Sequence, residues 1–225
     1  MANIYLVRHG RTPANEKGVL AGRTPGIKLD SVGTAQAHKV ADVLSNIKFS
    51  KVIVSPLQRC QETSTIILNR QKVKPKVLTS EGINECDYGD WSNKKLSVLR
   101  RKPLWKTIQE RPSIVEFPNG EKMVDMLDRF KFTIMNESKD LKNDENMLVI
   151  SHGDPIRSFI ADCLGLHLDQ FQKISIDPCS ISIVNFSEKD NRVVTVNSRN
   201  QVETPKKGRK KLAVRKSDLG GGAGH

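Results

Sequence analysis

Two short apolar segments, each closed by His-Gly, constrain this chain more than any other feature. Ile4-Tyr5-Leu6-Val7 runs into Arg8-His9-Gly10, and Met147-Leu148-Val149-Ile150 runs into Ser151-His152-Gly153. A continuous apolar, β-prone tetrapeptide reads as a strand buried on both faces. Such strands belong to parallel sheets covered by helices. In that architecture functional groups gather beyond the carboxyl ends of the strands. If the two strands share a sheet, His9 and His152 lie at the same edge. A lone histidine is ordinarily a surface or structural residue, but two at equivalent strand ends point to chemistry.

The rest of the chain alternates accordingly. Residues 11–30 are rich in Gly, Pro, Asn and Thr and read as a loop. Ser31 caps a helix to about Asn46, with Ala35, Val40, Val43 and Leu44 on its apolar side. Val52-Ile53-Val54 is a second strand. Ser55-Pro56 then reads as an N-cap followed by Pro at the first helical position, opening a helix to about Leu68. Val77-Leu78 is a third strand, residues 80–93 are irregular, and two short helices precede Pro112. Met123, Met126, Leu127, Phe130 and Ile134 have helical spacing within a helix over Glu121–Ser138 and belong to the core. A helix from Pro155 to Leu164 follows the second His-Gly, and Ser180–Phe186 with Val193–Asn197 reads as a hairpin. The expected fold is α/β: a three-layer α/β/α sandwich with a mostly parallel sheet.

Length and charge set the domain plan. With 225 residues, 37% of them hydrophobic, one domain with a buried core is expected, spanning 1–198. Formal net charge is +12, and half of it sits in Lys206–His225, which carries seven Lys and Arg against Asp218. The run ends in Gly220-Gly221-Gly222-Ala223-Gly224, so 199–225 reads as a basic, Gly-rich flexible tail. It is either a solvated end or an arm for nucleic acid or another acidic partner. No aromatic residue interleaves its charges to stack on bases. No apolar run approaches the roughly 20 residues of a membrane helix, and no signal peptide is evident. Cys60, Cys86, Cys163 and Cys179 are widely spaced, as reduced thiols of a cytoplasmic protein would be.

The strand ending at Val54 delivers Arg59 into the first turn of a helix, whose free N–H groups also favour anions. Arg8, His9, Arg59 and His152 can therefore converge as a cage for a phosphoryl dianion. Here the chain resembles the histidine phosphatase superfamily, the phosphoglycerate mutase-like group. Arg8-His9-Gly10 with Thr12 and Asn15 matches its first motif, and Ser55-Pro56-Leu57-Gln58-Arg59 its second. Glu85 within Glu85-Cys86-Asp87-Tyr88-Gly89-Asp90-Trp91 matches the third, and Ser151-His152-Gly153 the fourth. The four blocks occur in order across about residues 1–198. The Gly22-Arg23-Thr24-Pro25-Gly26 segment is similar to a bacterial phosphomutase and phosphatase subgroup.

The resemblance implies roles. His9 is the nucleophile that becomes phosphohistidine, and it must be neutral to attack. Arg8, Arg59 and His152 hold the phosphoryl oxygens, and Asn15 adds a hydrogen bond. Glu85 protonates the leaving alkoxide and then helps activate water. Asn15 also reads as a turn residue, Ser55 as a helix cap, and Arg23 as either a substrate-side cation or a solvated loop arginine. Tyr88 and Trp91 either line the pocket or pack. Asp154 is the other carboxylate near His152, but Gly153 intervenes, which favours Glu85. No metal or other cofactor is implied. The chain lacks a nucleotide-binding glycine loop, a cysteine-phosphatase loop and recognised zinc spacing.

The expected function is a metal-independent phosphomonoesterase acting on a small phosphorylated metabolite. Homodimers are compatible with the resemblance. A phosphomutase is the alternative, with Lys94, Lys95 and Arg100-Arg101-Lys102 available for a second anion. Replacement of the Arg-His of glycolytic mutases by Cys86-Asp87 favours hydrolysis. A non-catalytic binding protein using the basic tail is the third reading.

Overall fold

The structure, a computed structural model, describes residues 1–187 and 190–199. Apart from Arg199, the expected basic tail lies outside the described residues. In chain order the elements are β1 (Ala2–Arg8), α1 (Pro13–Glu16), α2 (Ser31–Leu44), β2 (Lys51–Val54), α3 (Gln58–Asn69) and β3 (Lys76–Thr79). Then follow α4 (Leu96–Leu99), α5 (Pro103–Glu110), α6 (Met123–Ser138), β4 (Asn146–Ser151), α7 (Gly153–Cys163), β5 (Ile181–Phe186) and β6 (Asn191–Ser198). The strands form one six-stranded sheet in the order β3-β2-β4-β1-β5-β6. The first four in that order are mutually parallel, and β5 and β6 are antiparallel additions.

The central strands are apolar throughout because both their faces are covered. Tyr5 and Val7 point into a cluster with Ala37, Val40, Ala41 and Leu44 of α2 and Cys60 and Ile67 of α3. Ile4 and Leu6 point the other way, against Phe130 and Ile134 of α6 and Ile156, Phe159 and Ile160 of α7. The three-layer sandwich expected from the sequence is therefore the observed fold. A third cluster, including Cys86, Tyr88, Trp91, Phe117, Met123 and Phe171, lies outside these two layers.

Register places the two histidines. In the parallel β1–β4 pair Arg8 faces Ser151, and the His9 N–H donates to the Ser151 carbonyl at 3.0 Å. The following glycines allow close approach rather than an unusual backbone. A Cβ on Gly10 would lie 2.6 Å from the Gly33 carbonyl oxygen, and one on Gly153 would lie 3.3 Å from the Arg8 guanidinium carbon.

Local differences from the sequence reading have physical causes. Asp30, not Ser31, caps α2: its Oδ1 accepts from the Gly33 N–H at 2.7 Å while its Oδ2 takes the Arg11 Nε–H at 2.8 Å. Helix α3 begins at Gln58 with Leu57 as an N-cap that supplies no side-chain bond, so Ser55 does not cap it. The loop after β1 contains the short α1, closed by a reciprocal cap between Thr12 and Asn15.

Gly33 sits in the first turn of α2, where Ala ordinarily stabilises a helix by about 1 kcal/mol over Gly. A Cβ there would lie 2.0 Å from the Arg11 carbonyl oxygen, a backbone atom. Steric overlap should dominate, so Gly33→Ala is expected to destabilise the fold by about 1–3 kcal/mol in urea unfolding. A stabilised variant would contradict that packing.

Candidate active site

The site is built on Arg59. Its side chain is the largest fully buried one, at 1% exposure, and it enters between the ends of β1, β2 and β4. Nε donates to His9 Nε2 at 3.2 Å, and Nη2 donates to the Gly22 carbonyl at 2.8 Å and to His152 Nδ1 at 3.2 Å. Nη1 is buried without a partner. Arg8 has a similar vacancy: Nη1 donates to the Ile176 carbonyl at 2.6 Å, while its buried Nε has no partner.

These contacts fix both imidazoles. His9 Nδ1 lies 2.7 Å from the Gly10 carbonyl, which can only accept, so Nδ1 carries the proton and Nε2 keeps its lone pair. Burial, then Arg59 and Arg8, hold the His9 pKa well below the usual histidine value. His152 accepts from Arg59 at Nδ1, so its Nε2–H donates to Ser55 Oγ at 2.7 Å. Burial, Arg59 and His9 likewise keep His152 neutral. The two rings meet edge-on with centroids 5.2 Å apart. The serine that the sequence offered as a helix cap instead fixes a histidine tautomer.

Glu85 faces the same space. Its Oε1 accepts from the Cys86 N–H at 3.0 Å, and Oε2 is 4.0 Å from His152 Nδ1. Burial, with the nearby charge of Asp154, raises its pKa to about 7. Asp154 accepts from the Tyr88 hydroxyl at 2.7 Å and pairs with Arg157 at 3.4 Å.

A cavity of about 640 Å³ joins these groups; Arg8, His9, Asn15, Arg59, Glu85 and Asp154 all line it. Tyr88 and Trp91 line it too, while remaining packed in the third cluster. His152 is fully buried and reaches the cavity through Arg59 rather than lining it. Asn15 commits its Oδ1 to the Thr12 N–H and hydroxyl, each at 3.0 Å.

Arg23 is not among the lining side chains. Its Nε donates to the Glu85 carbonyl at 2.9 Å and its Nη2 pairs with Glu121 at 2.9 Å. The same carboxylate takes Arg129 Nε at 3.0 Å and Nη2 at 2.7 Å. Arg129 also donates to the carbonyls of Gly82, Asn84 and Glu85 at 2.9–3.0 Å. Arg129 and Glu121 thus clamp the loop that carries Glu85. They were not found in the sequence because they belong to no motif, and Arg129 is one polar position on an amphipathic helix.

Among the described residues, no group of three or more His, Cys, Asp or Glu side chains could hold a metal ion, and no helix is long and apolar enough to cross a membrane. All four cysteines are free.

Two histidines, a buried arginine, a half-buried arginine and a raised carboxyl at the carboxyl edge of a parallel sheet define a phosphoryl-transfer type of site. The family model of the histidine phosphatase superfamily (branch 1) matches residues 4–199, so the chain belongs to that superfamily. Phosphoserine phosphatase 1 of Hydrogenobacter thermophilus is 28% identical over 199 residues, covering 88% of this chain and 92% of that protein. "Probable phosphoglycerate mutase GpmB" of Proteus mirabilis is 28% identical over 188 residues, 83% of this chain and 86% of that one. Among solved structures, the alpha-ribazole phosphatase of Shigella flexneri matches with a TM-score of 0.78 and 24% identity. That match covers 89% of this chain and 98% of that one, and it speaks for the fold.

The clamp has a measurable consequence. Arg129 and Glu121 side chains are 21% and 16% exposed, so the pair is mostly removed from solvent. Arg129→Met removes the donor to the Gly82 and Asn84 carbonyls and leaves Glu121 with only Arg23 and the Asp87 N–H, and should lower stability by about 2–4 kcal/mol in urea unfolding. Arg129→Lys should recover only part of it, because a point charge cannot span those acceptors.

Proposed function

We propose that the chain is a metal-independent phosphomonoesterase acting through a phosphohistidine on a small phosphorylated metabolite. One observation carries the reading. A neutral His9 presents its Nε2 lone pair beside Arg59, and Arg59 and Arg8 each keep a buried N–H without a partner. A phosphoryl dianion is the ligand such donors match.

In the proposed reaction His9 Nε2 attacks phosphorus, and the bond from phosphorus to the alcohol oxygen breaks. Arg8 Nε and Arg59 Nη1 take phosphoryl oxygens and stabilise the charge spread over them. Asn15 contributes its amide N–H, since its carbonyl is committed to Thr12. Glu85 hands its proton to the departing alkoxide. Water then attacks the phosphohistidine, Glu85 takes a proton from it, and phosphate leaves with His9 restored. His152, which does not line the cavity, acts through Arg59 as a positioning residue, its Nδ1 lying 3.2 Å from Arg59 Nη2. Arg23, set against the Glu85 carbonyl, acts here as a positioning residue.

The phosphomutase alternative requires a second anion site. Lys94, Lys95, Arg100, Arg101 and Lys102 are exposed and do not line the cavity, which favours hydrolysis. Added 2,3-bisphosphoglycerate should therefore not elicit isomerisation of phosphoglycerate.

The primary test is phosphate release from a panel of phosphomonoesters in the presence of a chelator. Wild type should turn over and His9→Ala should fall to background; equal rates for the two would sink the reading. The pH profile supplies a second test. Attack needs neutral His9 and protonated Glu85, so kcat/KM should decline as pH rises through about 7, where Glu85 loses its proton. The Asp154 charge raises that pKa, so Asp154→Asn should move the alkaline limb to lower pH. An unmoved limb would remove Glu85 as the acid.

A further inference from the structure

The phosphoryl cage occupies one side of the cavity, and the remaining wall has a different chemistry. Its apolar part is formed by Leu20, Trp91, Leu96, Trp105, Ile108 and Phe117, with the uncharged Gln109 and Gln172 beside them. Trp91 and Phe117 are buried in the third cluster. Leu20, Leu96, Trp105 and Ile108 pack against that cluster and remain half-buried, so part of each is still exposed. Trp91 and Trp105 lie parallel, with planes 8° apart and centroids 6.4 Å apart, and Phe117 meets Trp91 edge-on at 5.7 Å. This is a braced aromatic surface rather than a set of separate side chains.

The charges around the cavity point the same way. Outside the cage, two arginines line it among the described residues, and both pair with carboxylates. Arg11 pairs with Asp30 at 2.8 Å and Glu16 at 3.5 Å. Arg157 pairs with Asp154 at 3.4 Å and lies over the Phe171 ring at 5.6 Å, although its Nε remains without a partner. Among the described residues no lysine lines the cavity, whereas Glu16, Glu85 and Asp154 do. A second anionic group on the substrate would meet carboxylates and already paired cations.

We propose that the preferred substrate is a phosphate monoester of a large, uncharged, apolar alcohol, aromatic in its most favourable form, and not the phosphate of an amino acid or sugar acid. This rests on the phosphomonoesterase reading of the same site. An aromatic group moved from water onto this wall contributes binding that a short alkyl chain cannot.

The experiment compares esters whose chemistry at phosphorus is the same. Ethyl phosphate and 2-phenylethyl phosphate both release a primary alkoxide, so their difference reports the phenyl group alone. Burial of a ring of this size should favour the phenylethyl ester by about tenfold to a hundredfold in kcat/KM. O-Phosphoserine and 3-phosphoglycerate should fall below it by at least about tenfold. Trp105→Ala should narrow the ratio between the two neutral esters, chiefly by raising KM for the larger. p-Nitrophenyl phosphate, with its activated leaving group, checks turnover independently of the pocket. If wild type is silent on every ester including that one, the phosphomonoesterase reading fails and takes this proposal with it. If it turns over p-nitrophenyl phosphate but treats the two neutral esters alike, the proposal alone is overturned. The same holds if phosphoserine or 3-phosphoglycerate is the better substrate; loss of that preference in Arg157→Gln would then identify Arg157 as the anion site.

Discussion

A guanidinium buried among neutral partners governs this site. Arg59 is 1% exposed, and no carboxylate forms an ion pair with it among the described residues; its contacts are two imidazole nitrogens and a carbonyl. A buried cation with such partners is costly to the folded state, by several kcal/mol before compensation. Part of that cost is offset by its hydrogen bonds. The remainder has a chemical effect, because the positive charge disfavours a proton on either histidine. The destabilised cation and the neutral His9, the proposed nucleophile, therefore have one cause. A dianion entering the cavity relieves the first while it meets the second.

The sheet keeps this arrangement fixed. Parallel pairing puts Arg8 opposite Ser151 and Val54 opposite Ile150, so three strand ends deliver Arg8-His9, Ser55 and His152 to one edge. A hydrogen-bonded chain then crosses the gaps between them. His152 donates to Ser55, Ser55 lies 3.4 Å from Asn84 Oδ1, and Asn84 Oδ1 accepts from the Glu85 N–H at 2.8 Å. From outside, Arg129 holds the same loop through its carbonyls and Glu121 accepts from its Asp87 N–H. Glu85, the proposed acid, is thereby held on two sides by groups remote in sequence, so a loop residue acquires the fixed position that the proposed role demands.

Much of this was legible because apolar runs ending in charged or polar residues have few structural solutions. The strands, the helices on both faces and the meeting of Arg8, His9, Arg59 and Glu85 follow from local pattern and from the family resemblance. What escaped depends on tertiary partners. Ser55 before Pro56 carries a capping signal, yet His152 competes for its hydroxyl and wins once β2 and β4 are adjacent. Arg23 looked like a free cation because Glu121 lies 98 positions away in sequence. His152 has the expected place on the sheet edge but sits behind Arg59, a depth that no linear motif encodes. The glycines after both histidines are needed for close approach, to Gly33 and to the Arg8 guanidinium, contacts that only the tertiary fold creates.

The assignment between the two nearby carboxylates turns on which oxygens are already occupied. Asp154 uses Oδ2 for the Tyr88 hydroxyl, and its Oδ1 lies 3.4 Å from Arg157 in an ion pair, so each of its oxygens faces a donor or a cation. Glu85 uses only Oε1, for a backbone N–H, and Oε2 has no hydrogen-bond donor among the described residues. An oxygen without a donor is the one that can carry a proton and later release it. Asp154 also contributes a fixed negative charge that helps keep that proton on Glu85 near neutral pH. One carboxylate is thus held in place as a charge, and the other is left able to exchange a proton, a division set by surroundings rather than by residue type.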